Sequence, residues 1–230
     1  MSEFFVESLF FGVVVSVTGY ELGRFLKKKW KLAIFNPLLL AVIFVILALL
    51  LFRVDYAAYE QGAKYLSYLL TPATVCLAIP LYQQFELLKN NWRAVLAGTL
   101  SGAASSMLCI YALSLLFGLS HDQYVTLLPK SITTAIGIGV SEELGGTATI
   151  TVAAIIVTGI FGNMVAEGVC RLLRIKSPIA KGLAIGSASH AIGTTRAMEM
   201  GEVEGAMSSL AIVVSGLFTV IGASFFATLL

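Results

Sequence analysis

Charge is what this chain has least of. Asp, Glu, Lys and Arg make up 12% of its 230 residues, against roughly 25% in an ordinary soluble domain. All four are missing from residues 32–52, 94–120, 144–166 and 205–230. Each run can supply the roughly 20 apolar residues that a helix needs to cross a bilayer core. A net charge of +2, with no basic stripe interleaved with aromatics, gives no reason to expect a nucleic-acid partner. Cysteine is scarce too. Cys76, Cys109 and Cys170 lie in or beside apolar segments without metal-ligand spacing, so they read as small hydrophobes and no metal site is expected. A phosphate-binding P-loop is missing, which argues against ATP-driven pumping within this chain, and no cofactor is implied. Glu3 and Glu7 stand where a secretory leader would be basic, so the first apolar stretch reads as an uncleaved span.

What is present is the pattern of an all-α polytopic membrane protein in a lipid bilayer, one integral domain over 1–230. Residues 1–64 hold two spans, about 4–26 and 31–52, and an external loop at 53–64. Gly12, Ser16 and Gly19 give the first span a small-residue face for close helix contact. Residues 65–120 hold a third span, about 65–87, which Pro72 and Pro80 predict to be broken or kinked, and a smooth fourth, about 94–118. Basic clusters at 27–31 and 171–181 mark cytoplasmic boundaries under the positive-inside rule. His121 and Asp122 then mark the outside, and an odd number of crossings must link them to Arg171. If 147–169 is one crossing, the polar stretch 127–146 enters and leaves on one side. By the same count 178–204 re-enters from the cytoplasm before a last span at 205–230. The expected architecture is therefore about six transmembrane helices plus two oppositely oriented re-entrant hairpins, blocked as 121–176 and 177–230.

The broken segments resemble one another. Ala78-Ile79-Pro80, Ala135-Ile136-Gly137 and Ala191-Ile192-Gly193 each stand six residues ahead of a glutamate, Glu86, Glu143 and Glu199. The second and third copies are followed by matching spans, IIVTGIFG from Ile155 and IVVSGLFT from Ile212. Pro72, Pro129 and Pro178 each fall where a helix could begin, with Thr71 or Ser177 as cap in two cases. Inverted repeats whose broken helices meet near the midplane are the mark of secondary transporters, and half-helix N-termini suit an anion.

Lys130 and Arg196 are the cations inside hairpins. A buried cation wants an anion, either a neighbouring glutamate or a substrate carboxylate, unless it snorkels to the interface. Ser131, Thr133 and Thr134 beside Lys130, with Thr194 and Thr195 beside Arg196, supply short donors of the kind that orient a carboxylate, or else cap backbone. Thr71 and Thr74 in the broken third span, and Ser187, Ser189 and His190 in the last hairpin, complete the candidate substrate site. His190, Glu143 and Glu199 are candidates for proton coupling. Glu202 and Glu204 read as solvated rim. An intramembrane serine hydrolase built on Ser187 and His190 is the rival chemistry. Residues three apart on one helix rarely align for proton transfer, and no orienting third group is evident, so no enzyme is expected.

At 71–84 (TPATVCLAIPLYQQ), 129–146 (PKSITTAIGIGVSEELGG) and 182–211 (GLAIGSASHAIGTTRAMEMGEVEGAMSSLA), the chain resembles the LrgB/CidB family, closely its YohK branch, over nearly its whole length. It departs from the commoner family pattern at Ala135, where proline is usual. The resemblance implies a multi-pass protein of the bacterial inner membrane. It also implies one of two roles. The first is an antiholin-like protein acting with a small holin-like LrgA/CidA partner on murein hydrolase activity and lysis. The second, from plastid relatives that move glycolate and glycerate and from pyruvate-linked bacterial members, is a carrier of small carboxylate anions. The hairpins favour the carrier, with pyruvate, glycolate or lactate as substrate types. A homodimer is expected as scaffold.

Overall fold

The computed structural model describes all residues except 1–9, 31–34, 70, 71, 73, 74 and 77. It is helical throughout the described residues and falls into two compact units, Met1–Cys76 and Leu77–Leu230.

The first unit holds α1 (Phe11–Trp30), α2 (Pro37–Phe52) and α3 (Tyr56–Ser67). Asn36 starts α2: its side chain accepts from Leu38 N–H at 2.9 Å and Leu39 N–H at 3.2 Å, and Pro37 follows at the first helical position. The expected loop at 53–64 is instead mostly helix, because Asp55 caps α3 by accepting from Ala57 N–H at 2.9 Å. The small face of α1 has the use foreseen for it. A Cβ on Gly12 would collide with the backbone of Tyr59 and Ala63, and Ser16 bonds the Tyr59 hydroxyl at 2.8 Å.

The second unit begins with the short helices α4 (Ala78–Gln83) and α5 (Phe85–Asn90). It continues through α6 (Trp92–Phe117), α7 (His121–Leu127), α8 (Thr134–Glu143), α9 (Ala148–Leu172), α10 (Pro178–Met200) and α11 (Glu202–Ala227). The expected third span at 65–87 is interrupted on both sides of the unit boundary: α3 stops at Ser67, and α4 and α5 are six residues each. Among the described residues, α6, α9 and α11 are long and apolar enough to cross a membrane, and α2 is a shorter apolar helix.

These three long helices frame the second unit. At one end, the basic end, Val95 of α6 packs with Met207 of α11, and Cys170 and Arg171 of α9 share a cavity with Lys181; at the far end Met107 and Ile110 of α6 pack with Ala223 of α11. At the far end α7 and α8 form a helical hairpin. Ser120 and Gln123 close a capping box that starts α7, and the chain turns at Pro129–Thr133. Pro129 thus sits buried in the turn and does not open a helix. The hairpin is anchored by Tyr124, whose hydroxyl donates to Phe226 O at 2.9 Å, and by Thr151, which joins Ser141 Oγ at 2.7 Å. Its core is Tyr124, Val125, Leu128 and Ile132 against the far halves of α6 and α11.

At the basic end α10 folds back on itself. Ser177 and Pro178 cap and open it, but Ser189 (φ −133°) and His190 (φ 42°) leave helical geometry. The chain reverses there. Gly193 lies against Ile185, eight residues earlier, which a straight helix would hold about 12 Å away. Ile185 and Ala197 share a buried cluster with Ala166 of α9. Lys181 and Met200, from the two limbs, line one cavity at the basic end. The chain therefore carries two broken elements that enter the unit from opposite ends.

Candidate functional site

The turns of the two broken elements meet on one face of α6, near its middle. A Cβ on Gly102 would stand 2.6 Å from the Ser187 hydroxyl, on the first limb of α10. One turn further along, Ser106 Oγ lies 3.0 Å from Ser131 Oγ and 3.4 Å from Lys130 Nζ. The two contacts are separated by four residues, about 6 Å along the helix axis. Lys130 also donates to Ser131 at 3.0 Å, and no carboxylate forms an ion pair with it among the described residues. Among the described residues it is a half-buried ammonium held by two neutral hydroxyls.

On the other side of the turn, His190 Nε2 lies 3.0 Å from Ile155 O. A carbonyl only accepts, so Nε2 carries the proton and Nδ1 is the ring's accepting atom. A Cβ on Gly162 would overlap Ser189, so α9 presses the turn closely at mid-helix. Thr194 then ties the turn to α11, donating to His190 O at 2.9 Å and bonding Ser208 Oγ at 2.7 Å. The left-handed φ of a non-glycine His190 is a strained conformation, and it sits at this junction.

Of the residues singled out in the sequence, Lys130 and Ser131 meet α6 at Ser106 and Ser187 meets it one turn earlier at Gly102, while Ser189, His190 and Thr194 form the neighbouring turn of α10 held by α9 and α11. Thr133 and Thr134 stand at the start of α8, next to that group; Thr133 occupies the cap position without a side-chain cap bond. Arg196 does not join Lys130. It lies further toward the basic end, where it pairs with Glu167 of α9 and, at 2.5 Å, with Glu199. Thr195 is exposed and bonds Asn163 Nδ2 at 2.9 Å. Glu143 is exposed at the end of α8, toward the far end. Thr71 and Thr74 lie outside the described residues. Glu202 is exposed, but Glu204 is buried, 3.9 Å from Lys181, and is not rim.

Sequence reasoning passed over Ser106, Glu167 and Ser208. The signal for Ser106 was its place beside Gly98, Ser101, Gly102 and Ser105, the small residues of span four. Glu167 is the first charge after the uncharged run 144–166, one turn ahead of Arg171. Ser208 had no such mark.

Three helices of membrane-crossing length, with polar side chains gathered against the middle of α6, describe a multi-pass membrane protein. Residues 16–229 match the model of the LrgB-like family, and the chain belongs to that family. It is similar to the holin-like protein CidB of Staphylococcus aureus (strain N315), 39% identical over 207 residues covering 90% of each chain. It is likewise similar to the antiholin-like protein LrgB of Bacillus mycoides (strain KBAB4), 38% identical over 92% of this chain and 93% of the relative. The antiholin-like protein LrgB of Bacillus subtilis (strain 168) is 37% identical over 93% of each. No solved structure matches the chain.

Proposed function

We propose that this protein is a secondary carrier of small monocarboxylates such as pyruvate, glycolate or lactate, binding the anion at the junction of its two broken elements. The observation that carries the reading is Lys130. It is a cation without a carboxylate partner among the described residues, held by Ser106 and Ser131 half-way along a membrane-length helix. A buried charge is costly unless an anion completes it. In this reading α7–α8 and α10 are re-entrant hairpins, entering from outside and from the cytoplasm, and the junction lies at the bilayer midplane. Ser131, Ser187 and Ser189 orient the carboxylate, and Nδ1 of His190 is the atom that takes up a coupled proton. Arg196, fastened by two glutamates, steadies the second limb of α10. No enzymatic step is assigned.

The second reading is an antiholin-like regulator of murein hydrolase activity and lysis, acting on a small holin-like partner without transport of its own. The names of the relatives support this reading more directly than the carrier.

The deciding experiment is uptake of labelled pyruvate, glycolate and lactate into proteoliposomes, with and without a proton gradient. The carrier predicts saturable uptake by the wild type that Lys130→Ala abolishes while the protein still inserts. Flux only after a holin-like partner is added assigns transport to the pair. An absence of flux in both cases, with lysis phenotypes intact, supports the regulator.

A further inference from the structure

At the basic end, away from the junction, lies a cavity of about 560 Å³ lined by Arg171, Lys176, Lys181 and Arg196 against Glu167 and Glu199. Four cations face two carboxylates. The cations come from four separate places: the last turn of α9, the loop after it, and each limb of α10. The two carboxylates are already engaged. Glu167 pairs with Arg196 and, at 3.2 Å, with Arg171, while Glu199 holds the other Arg196 nitrogen. Lys181 is placed by buried Glu204. Lys176 has no bond or ion pair among the described residues, so its charge is uncommitted.

The loop that carries Lys176 is a built turn. Ile175 N–H donates to Cys170 O at 2.8 Å and Arg174 N–H to Arg171 O at 3.1 Å. Arg174 adopts a left-handed φ of 54°. This is the double closure of a Schellman motif, made here without the usual glycine. It brings Lys176 back over the cavity instead of leaving it on a wandering loop. The floor is apolar (Cys170, Ile175, Met200), and Val169, Leu172 and Leu173 beside it are exposed.

We propose that this cavity is a binding site for a phosphate group, separate from the carboxylate junction and independent of the carrier reading. A planar carboxylate presents two oxygens in one direction. A phosphate presents its oxygens tetrahedrally, which suits cations converging from several elements. A basic pocket between helices beside exposed apolar side chains fits a lipid phosphate whose acyl chains lie against Leu172 and Leu173. A soluble phosphate offers the same headgroup chemistry without the chains.

The test uses the purified full-length protein. Retention of phosphatidylglycerol against phosphatidylcholine is read by native mass spectrometry, and stabilisation by inorganic phosphate is read by thermal shift. Lys176→Glu reverses the uncommitted charge at an exposed position, Lys176→Gln is the milder variant, and Lys64→Glu makes the same charge change in the other unit. The lipid source predicts one phosphatidylglycerol retained by the wild type and by Lys64→Glu, at least tenfold less by Lys176→Glu, with Lys176→Gln between. The soluble source predicts no lipid selectivity but a phosphate-dependent rise in Tm that Lys176→Glu loses. Phosphate and lipid both failing to bind, or binding equally in Lys176→Glu, overturns the site. Stabilisation by pyruvate in place of phosphate, dependent on Lys176, overturns the ligand class.

Discussion

Lys130 is the residue on which the carrier reading turns. Its hydrogen bonds are all to hydroxyls, and a charged hydrogen bond is worth about 1.5–3 kcal/mol. In the carrier reading, Ser106→Ala therefore raises the half-saturation concentration for uptake by roughly 10- to 140-fold, the fold-change equivalent of that energy. The protein still inserts, because the small residue left behind is compatible with a membrane helix. Unchanged uptake kinetics in this variant would remove Ser106 from the site. The Lys181–Glu204 pair makes a different forecast. Glu204 keeps only 10% of its side chain exposed, so Lys181→Gln strands a buried carboxylate. The cost is about 1–3 kcal/mol, and Glu204→Gln in the same chain recovers most of it. A double-mutant cycle by thermal denaturation in detergent reads this directly; additive losses would show that the pair is not coupled.

At the scale of elements, 127–146 and 178–204 were legible as interrupted stretches because polar text breaks apolar text there. The similar stretches 135–143 and 191–199 start at comparable places, Ala135 one residue after Thr134 opens α8 and Ala191 directly after the break at His190. The breaks themselves were less legible. Thr133 and Thr134 open α8 without a side-chain cap bond, while the α10 reversal falls on Ser189 and His190, neither a residue that usually breaks a helix. Tertiary contacts with Gly162, Ile155 and Ser208 hold that reversal, and none of them is visible locally. The same reason explains Arg196. Its neighbours in sequence suggested a place beside Lys130, but folding back carries it toward the basic end and onto Glu167. The loop at 53–64 was misread because Asp55, a strong helix cap, was taken with the loop residues after it. An accessibility experiment tests the arrangement. In a cysteine-free background, cysteines at Lys176 and Glu202 should label from one side of the membrane and those at His121 and Gly145 from the other. Labelling of 121 and 176 from one side would break the opposed entry of the hairpins.

For the molecule as a whole, the outward faces of the long helices are as apolar as the lipid they meet. Val213, Leu217 and Ile221 of α11 are 64%, 59% and 65% exposed, whereas Ser208, Ser215 and Thr219 on its other face are buried. An acidic side chain at mid-bilayer costs about 2.5–3.5 kcal/mol on insertion scales. Leu217→Asp should thus shift a substantial share of the protein out of the membrane fraction, whereas Leu217→Ala should leave it there. Equal membrane yields for the two would mean that this face of α11 is covered by protein. The role of α6 follows from its two neighbours. Ser187 meets it at Gly102 and the Lys130 turn meets it at Ser106, so a single rod serves as bearing for two opposed arms. A tilt of that rod that frees one arm also disturbs the seat of the other. In the carrier reading proposed above, that shared seat is what would couple the arm facing one side of the membrane to the arm facing the other.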